Sequence, residues 1–391
     1  MADVRWLDLP MDILRCVLGR LSFVYFHRAK MVCSNWYLCS KQTSPRLSGS
    51  PLLIMFLESG DCRLYHPEEA RVYKTKRDLP NIKFLANSGN WFLVMDSKSN
   101  LYIIDVLSQK KIDLPPLESI KGCQYNLKRV GDKTFKEVGT HRCVIQKARN
   151  LRGLLWVDNK KEEFVVVWYF HKNIVRKYMT EYLAFCKNGE DHYHEIPARF
   201  ALRDVSDMVL LPRGDSIYVL TTSNHIRKLT FDSSGQDGFK NILSPFCLPG
   251  PPIELNHHDD ECRYNIAVRP SGEILVVMSI FSESSRPWMF LLYKKNRYLF
   301  PGNSLYNMLV EVDSLGDEAL LLDLGITVPA NPDLGIQPNS IYFSRTRHAC
   351  FSFQKRSCLD LCVFNIATKT LKRFPGFFNL KLKDARWFLP S

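Results

Sequence analysis

Apolar residues in this chain change their spacing once, and the change divides the molecule. Up to Trp36 they recur with a helical period, and from Leu52 onward they come in short runs. Ile13, Leu14, Val17, Leu18 and Leu21 lie at offsets that line up along one side of a helix. Pro10 suits the first helical position, where its missing N–H has no intrahelical partner, and Asp12 falls in the first turn, where the helix dipole favours negative charge. Tyr25, Phe26, Ala29, Val32, Cys33 and Trp36 continue the period after Ser22, a residue suited to cap a second helix. Three short helices in about forty residues cannot enclose a sufficient core, and units of that size usually lean on a disulfide, a metal or a partner. The stripe is therefore expected to be half of an interface.

Gln42 to Pro51 breaks the helical period with Ser, Pro and Gly, which places a boundary between residues 4–41 and residues 52–391. With a boundary segment between them and different periods on either side, the two parts are expected to be largely independent in stability. Beyond it, Leu52 to Leu57, Trp91 to Met95, Leu101 to Val106, Phe164 to Phe170, Ile217 to Thr221, Ile274 to Ile280, Met289 to Tyr293, Ile341 to Phe343 and Leu361 to Phe364 are short runs of β-branched and aromatic residues between turn formers. This part should be all β.

Three stretches share one phrase: Leu64 to Tyr73, Ile103 to Ile112 and Val363 to Lys372. Two apolar residues lead into His66, Asp105 or Asn365, a polar turn follows, and a basic and an apolar residue restart the strand. Asp and Asn can bond their own downstream backbone and so begin such a turn. Hairpins recurring in this way are what radial blades produce, so the fold expected is a mainly β chain with a β-propeller of about six blades. Stacked sandwiches would show no repeated phrase. Leu52 to Leu57 is placed to pair with the final strands and close the ring.

Among 391 residues, 46% are apolar and 24% charged, ordinary for a globular protein with a real core. The longest apolar run, Phe164 to Phe170, is far short of the 18 or so residues a spanning helix needs, so no membrane partner is expected. The start, Met-Ala-Asp-Val-Arg-Trp, lacks a secretory apolar core, and nucleus and cytoplasm are the expected locations. Twelve cysteines lie without a Cys-x-x-Cys pair, and Cys16, Cys33, Cys143, Cys247 and Cys350 sit in apolar stretches as expected core thiols. Net charge is +13, and Lys121 to Thr180 holds fourteen Lys and Arg against five Asp and Glu. Such a surface would attract nucleic acid, an acidic membrane or an acidic protein, and reads equally as a solvated basic face with no particular ligand. Basic residues there alternate with apolar ones rather than with aromatic platforms, and no nucleic-acid-binding signature is present.

Leu9-Pro10, Asp12-Ile13-Leu14, Val17-Leu18, Arg20-Leu21, Val32-Cys33 and Trp36 together resemble the F-box, most closely that of the large plant set of F-box proteins. Tyr25 departs from the acidic residue often found at its place. Val310 to Asp323, Asn339 to Phe343, Asp360 to Ile366 and Ala385 to Pro390 resemble the kelch-like domain of unknown function that accompanies the F-box in that set. The resemblance implies a substrate receptor of a ubiquitin ligase: the F-box docks on a Skp-family adaptor, and through it a cullin, while the propeller holds a target protein. Leu9, Pro10, Ile13, Leu14, Val17, Leu18, Leu21, Val32, Cys33 and Trp36 would contact the adaptor or shape the surface that does.

The target site is expected in long loops and in the basic region. Ser244 to Cys262 and Gly325 to Gln337 are Pro-rich and poor in strand signals, and Lys160, Lys161, Arg176 and Lys177 offer positive charge to an acidic target. The rival reading is a nucleic-acid-binding propeller with a vestigial F-box, whose binding would fall steeply with salt. No nucleophile elbow or phosphate loop is present, and His192-Tyr-His194 and His257 to Cys262 read as solvated segments rather than metal ligands. No catalytic residue, metal or cofactor is expected.

Overall fold

Pro10 begins the first helix from the N-cap rather than from its first turn: α1 runs Met11–Arg20, and the Leu14 amide donates to the Pro10 carbonyl at 2.9 Å. Proline lacks only the donor, so its carbonyl remains free to take the first intrahelical bond. α2 (Phe23–Ala29) and α3 (Ser34–Lys41) follow. Leu14, Leu18, Phe26, Ala29, Trp36 and Cys39 form a small core among the three helices, with Leu9, Val17, Leu21 and Cys33 partly buried against it. The Trp36 indole N–H donates to the Trp6 carbonyl at 3.2 Å.

The structure, a computed structural model, describes residues 6, 9–21, 23–43, 49–67, 69–74, 82–122, 125–139, 143–171, 182–197, 205–211, 213–221, 225–231, 239–243, 261–281, 288–296, 309–348, 357–374 and 382–390. Ser22, the expected second cap, lies outside them. From Leu52 on, the described elements are strands and three-residue 3-10 turns.

β1 (Leu52–Leu57), β2 (Cys62–His66) and β3 (Arg71–Lys74) form an antiparallel meander, as do β4 (Lys83–Ser88), β5 (Trp91–Met95), β6 (Leu101–Asp105) and β7 (Lys111–Asp113). A three-stranded sheet comes next: β8 (Tyr125–Gly131), β9 (Thr134–Gly139) and β10 (Cys143–Lys147). β11 (Leu151–Asp158), β12 (Glu163–Phe170), β13 (Tyr182–Lys187) and β14 (His194–Pro197) make one four-stranded sheet. β15 (Val205–Leu210), β16 (Ser216–Thr221), β17 (Ile226–Thr230) and β18 (Phe239–Leu243) make another. β19 (Glu261–Val268), β20 (Ile274–Phe281), β21 (Met289–Lys295) and β22 (Leu309–Glu311) belong to a nine-stranded sheet with β23 (Glu318–Leu321), β24 (Ile326–Pro329), β25 (Ser340–His348), β26 (Ser357–Asn365) and β27 (Thr370–Arg373). The two halves of that sheet join only through a parallel bridge, Val268 to Ile326. β28 (Leu382–Phe388) returns to the start and pairs antiparallel with β1 along its whole length.

Successive sheets meet around one axis. A cavity of about 480 Å³ is lined in turn by β4, β11, β15, β19, the β23–β24 turn and Arg386 of β28. Sheets that each give one strand to a common channel, with the last strand completing the first sheet, constitute a β-propeller, which leaves few edges open. Neighbouring sheets approach closely at the centre: a Cβ added to Gly153 on β11 would come within 2.7 Å of Leu93 Cδ2 on β5. The closing strand is anchored by Trp387, fully buried between Tyr342 and Phe374, with its indole N–H donating to the Phe343 carbonyl at 3.1 Å.

The repeated phrase has a physical basis. Asp105 accepts the amides of Leu107 and Ser108 at 2.8 and 3.0 Å, Asn365 accepts that of Thr368 at 3.0 Å, and His66 Nδ1 accepts that of Glu69 at 3.4 Å. Four residues after each turn-former the backbone takes a positive φ: Ala70 at 46°, Gln109 at 64° and Lys369 at 54°. A turn followed by one left-handed residue returns the chain into an antiparallel partner. Asp158 makes a fourth copy, accepting the amides of Lys160 and Lys161 at 2.9 and 3.4 Å, with Glu162 at φ 56°.

Three expectations change. Gly325 to Gln337 is not an open loop: Ile326–Pro329 pairs with β23, and the Tyr342 hydroxyl donates to the Gly335 carbonyl at 2.6 Å while accepting the Gln337 amide at 3.0 Å. Pro329 is the last residue of that strand and Pro332 opens the three-residue 3-10 turn after it, so neither interrupts the ladder. Cys16 and Cys143 are exposed rather than core thiols, and Cys33 is half-buried; Cys247 and Cys350 lie outside the described residues. The third change concerns how the helices meet the ring.

Candidate functional site

A three-helix unit this small buries only part of what it carries. Of the positions assigned to the docking surface, Leu14, Leu18 and Trp36 are interior, so they hold the helices in place rather than meet a partner. Leu9, Val17, Leu21 and Cys33 are half-buried on the flank of that core. Pro10 stands exposed, as do Ile13 at 51% and Val32 at 50%. Met11, Met31, Tyr37 and Leu38 are exposed beside them, and sequence reasoning passed over all four. Their signal was phase: Tyr37 and Leu38 fall off the stripe that α3 buries through Trp36, Cys39 and Ser40. Large apolar side chains out of register with a helix's own core are candidates for contact.

The other side of the unit is already occupied. Val24 of α2 belongs to a propeller cluster with Leu52, Phe56, Tyr73, Val106 and Leu107. Beside it the Tyr25 ring meets Tyr73 edge-on at 5.6 Å, and Arg28 donates to the Lys74 carbonyl at 2.5 Å. The helices and the ring therefore share a core, and the expectation of independent stability is corrected. Short modules couple when one apolar residue crosses the boundary, because burial is indifferent to sequence distance. At this seam, burial and the neighbouring Lys30 hold the His27 imidazole down at about 3.

The charges of the propeller channel are largely engaged. Asp207 accepts the Ile266 amide and the Asn265 side-chain amide, each at 3.0 Å, and Asp323 accepts the Ser344 hydroxyl at 2.7 Å. Asp207 thus fastens β15 to β19 of the next sheet, and Asp323 also accepts the Trp387 amide of β28 at 3.4 Å. His192 lies 2.6 Å from Asp191, and His194 lies 3.1 Å from Glu190, in two separate pairs. Among the described residues no group of three metal-ligating side chains converges. His257 to Asp260, most of the Ser244 to Cys262 loop, Arg176 and Lys177 lie outside the described residues. Lys160 and Lys161 stand exposed on the β11–β12 turn, where their backbone amides hold the turn and their side chains point away from the core. Within the same basic region, β8 to β10 presents an outer face of Lys128, Lys136 and Lys147 among Val130, Val138 and Ile145, all exposed. No described helix is long and apolar enough to cross a membrane.

Residues 6–47 match the F-box domain family, and residues 64–365 match the family described as the KIB1-4 beta-propeller. F-box protein At5g25290 of Arabidopsis thaliana is 59% identical over 99% of this chain and 97% of its own length. F-box protein At2g14290 from the same plant is 43% identical over 99% of this chain and 98% of its own. F-box protein KIB4, also from Arabidopsis thaliana, is 32% identical over 100% and 96%. Helical unit and ring are thus matched together in single relatives along nearly their whole length, and the chain belongs to the F-box proteins that carry a KIB1-4 β-propeller.

Proposed function

We propose that this protein is the target-recognition subunit of a Skp-cullin-F-box ubiquitin ligase, with the helical unit on the adaptor and the propeller on the target. One observation carries the reading beyond the family. Of the twelve large apolar side chains exposed among the described residues, eight belong to the helical unit: Trp6, Met11, Ile13, Tyr25, Met31, Val32, Tyr37 and Leu38. A soluble surface rarely gathers so much apolar area unless a partner covers it. The free side of the unit faces outward while Val24 ties the other side to the ring. Bond making then belongs to other subunits, and the chain contributes proximity, which raises the effective concentration of target lysines at the ubiquitin thioester. No disulfide joins the eight cysteines whose side chains the structure describes, which fits a reducing nucleus or cytoplasm.

The test is co-purification with a plant Skp-family adaptor. Replacing both Ile13 and Val32 with Glu should abolish it with little change in melting temperature, since both side chains are exposed. Adaptor capture that survives this double substitution, in a protein of unchanged circular dichroism, overturns the reading.

A further inference from the structure

Outside the helical unit, four large apolar side chains are exposed among the described residues, and three of them lie on one small sheet: Val130, Val138 and Ile145, at 55%, 36% and 54%. They share the outer face of β8–β10 with Lys128, Lys136 and Lys147. Pairing places Lys128 directly opposite Lys136, with Ile145 on the far side of Lys136, and Val138 between Asn126 and Cys143.

This face is held still from behind. Leu127 and Phe135 point inward to the cluster around Trp168 and Phe170, and the buried Gln146 amide donates to the buried Glu137 carboxylate at 2.8 Å. Arg129 pairs with Glu118, and the Ser99 hydroxyl donates to the Asp132 carbonyl at 2.6 Å. The sheet is thus a firm platform attached to the ring, with one side free.

Its outer pattern disfavours the isolated protein. Like charges directly opposite on a sheet repel. Lysines guard open edges against aggregation, which accounts for β8 and β10 at the two edges. Lys136 is on the central strand, where there is no edge to guard. A partner that brings carboxylates to Lys128 and Lys136 and apolar groups to Val138 and Ile145 relieves both features at once. Nucleic acid would supply the charge, but among the described side chains of this face there is no exposed aromatic ring for bases to stack on.

We propose that the outer face of β8–β10 docks an acidic stretch of protein with alternating apolar residues, carried by the target this receptor captures. The identity of the carrier as target rests on the function proposed above; the docking chemistry does not.

The probe is a fluorescein-labelled peptide of about nine residues alternating Glu and Leu, one strand's length with flanks. Its control has Gln in place of Glu, and full-length protein is used for both. Saturable binding of the Glu peptide, weakened about tenfold or more by Lys136→Glu and by Ile145→Ser, is the expected result. Lys136→Glu should keep or raise the melting temperature, because Lys128 then faces a carboxylate, so lost binding cannot be ascribed to misfolding. Equal binding of the two peptides, no effect of either substitution, or preference for a poly-uridine oligonucleotide over the Glu peptide overturns the proposal. Adaptor co-purification is measured in the same samples and should be unchanged by Lys136→Glu. Its absence from the parent protein would strike the F-box reading alone.

Discussion

At Leu18 and Ile13, five residues apart on one helix, the same chemistry serves opposite ends. Leu18 is fully buried, so Leu18→Ala should destabilise the protein by about 2–5 kcal/mol, seen as an earlier denaturant midpoint. Gly19 beside it has open space around the position of a missing Cβ. Gly19→Ala should therefore stabilise α1 by roughly 0.5–1 kcal/mol, and a destabilised variant would contradict the open space at that position. His27 gives a pH signature. Its folded pKa of about 3 lies below the unfolded 6.5, so the unfolded chain binds the proton more readily. The stabilisation is complete well above pH 6.5 and is lost as pH falls toward 3, the loss reaching roughly 1.4 kcal/mol by pH 5.5. Half-buried Asp105, whose carboxyl burial raises, acts in the opposite sense. Melting temperature should fall from pH 7 to 5.5, and His27→Gln should flatten that slope; an identical slope in the variant would sink the assignment.

At the scale of elements, the hairpins were legible where a turn-former and an apolar lead-in coincide. The phrases at His66, Asp105 and Asn365 were read from sequence, and all three are hairpins. Asp158 was missed because its lead-in, Leu155-Trp-Val157, was not among the runs counted as strands. Asp158→Ala should cost about 0.5–1.5 kcal/mol through the loss of its bonds to two exposed amides, while Glu162→Gly, relieving a positive φ, should be neutral or stabilising. Strands buried on both faces, such as β12 and β20, announce themselves as continuous apolar runs. β8 to β10 did not, because each alternates an inward Leu, Phe or Gln with an outward Lys. For the candidate site, the helical stripe was legible but its division was not: periodicity marks a face, and only packing tells which residues of that face stay uncovered. The Val24 contact was illegible, since its partners lie tens of residues away in the ring.

For the whole molecule, the shared core at Val24 predicts one cooperative unfolding transition in which helices and ring melt together. Val24→Asp should lower that transition and split it in two by calorimetry, whereas two transitions already present in the parent would show uncoupled parts. Removing residues 382–391 should leave β1 with an open edge and Trp387's site empty, giving insoluble protein; a soluble, folded truncation would contradict the ring.

The pairing of the last strand with the first also sets a timetable for synthesis. β1 leaves the ribosome early, and about 320 residues must follow before β28 emerges, which at about 5–20 residues per second takes roughly 16–64 s. Throughout that interval Leu-Leu-Ile-Met-Phe-Leu waits with the edge meant for β28 unfilled. Chaperones that cover apolar segments during translation should therefore raise the yield of folded protein, and a chain that stops short of β28 leaves that edge unfilled for good.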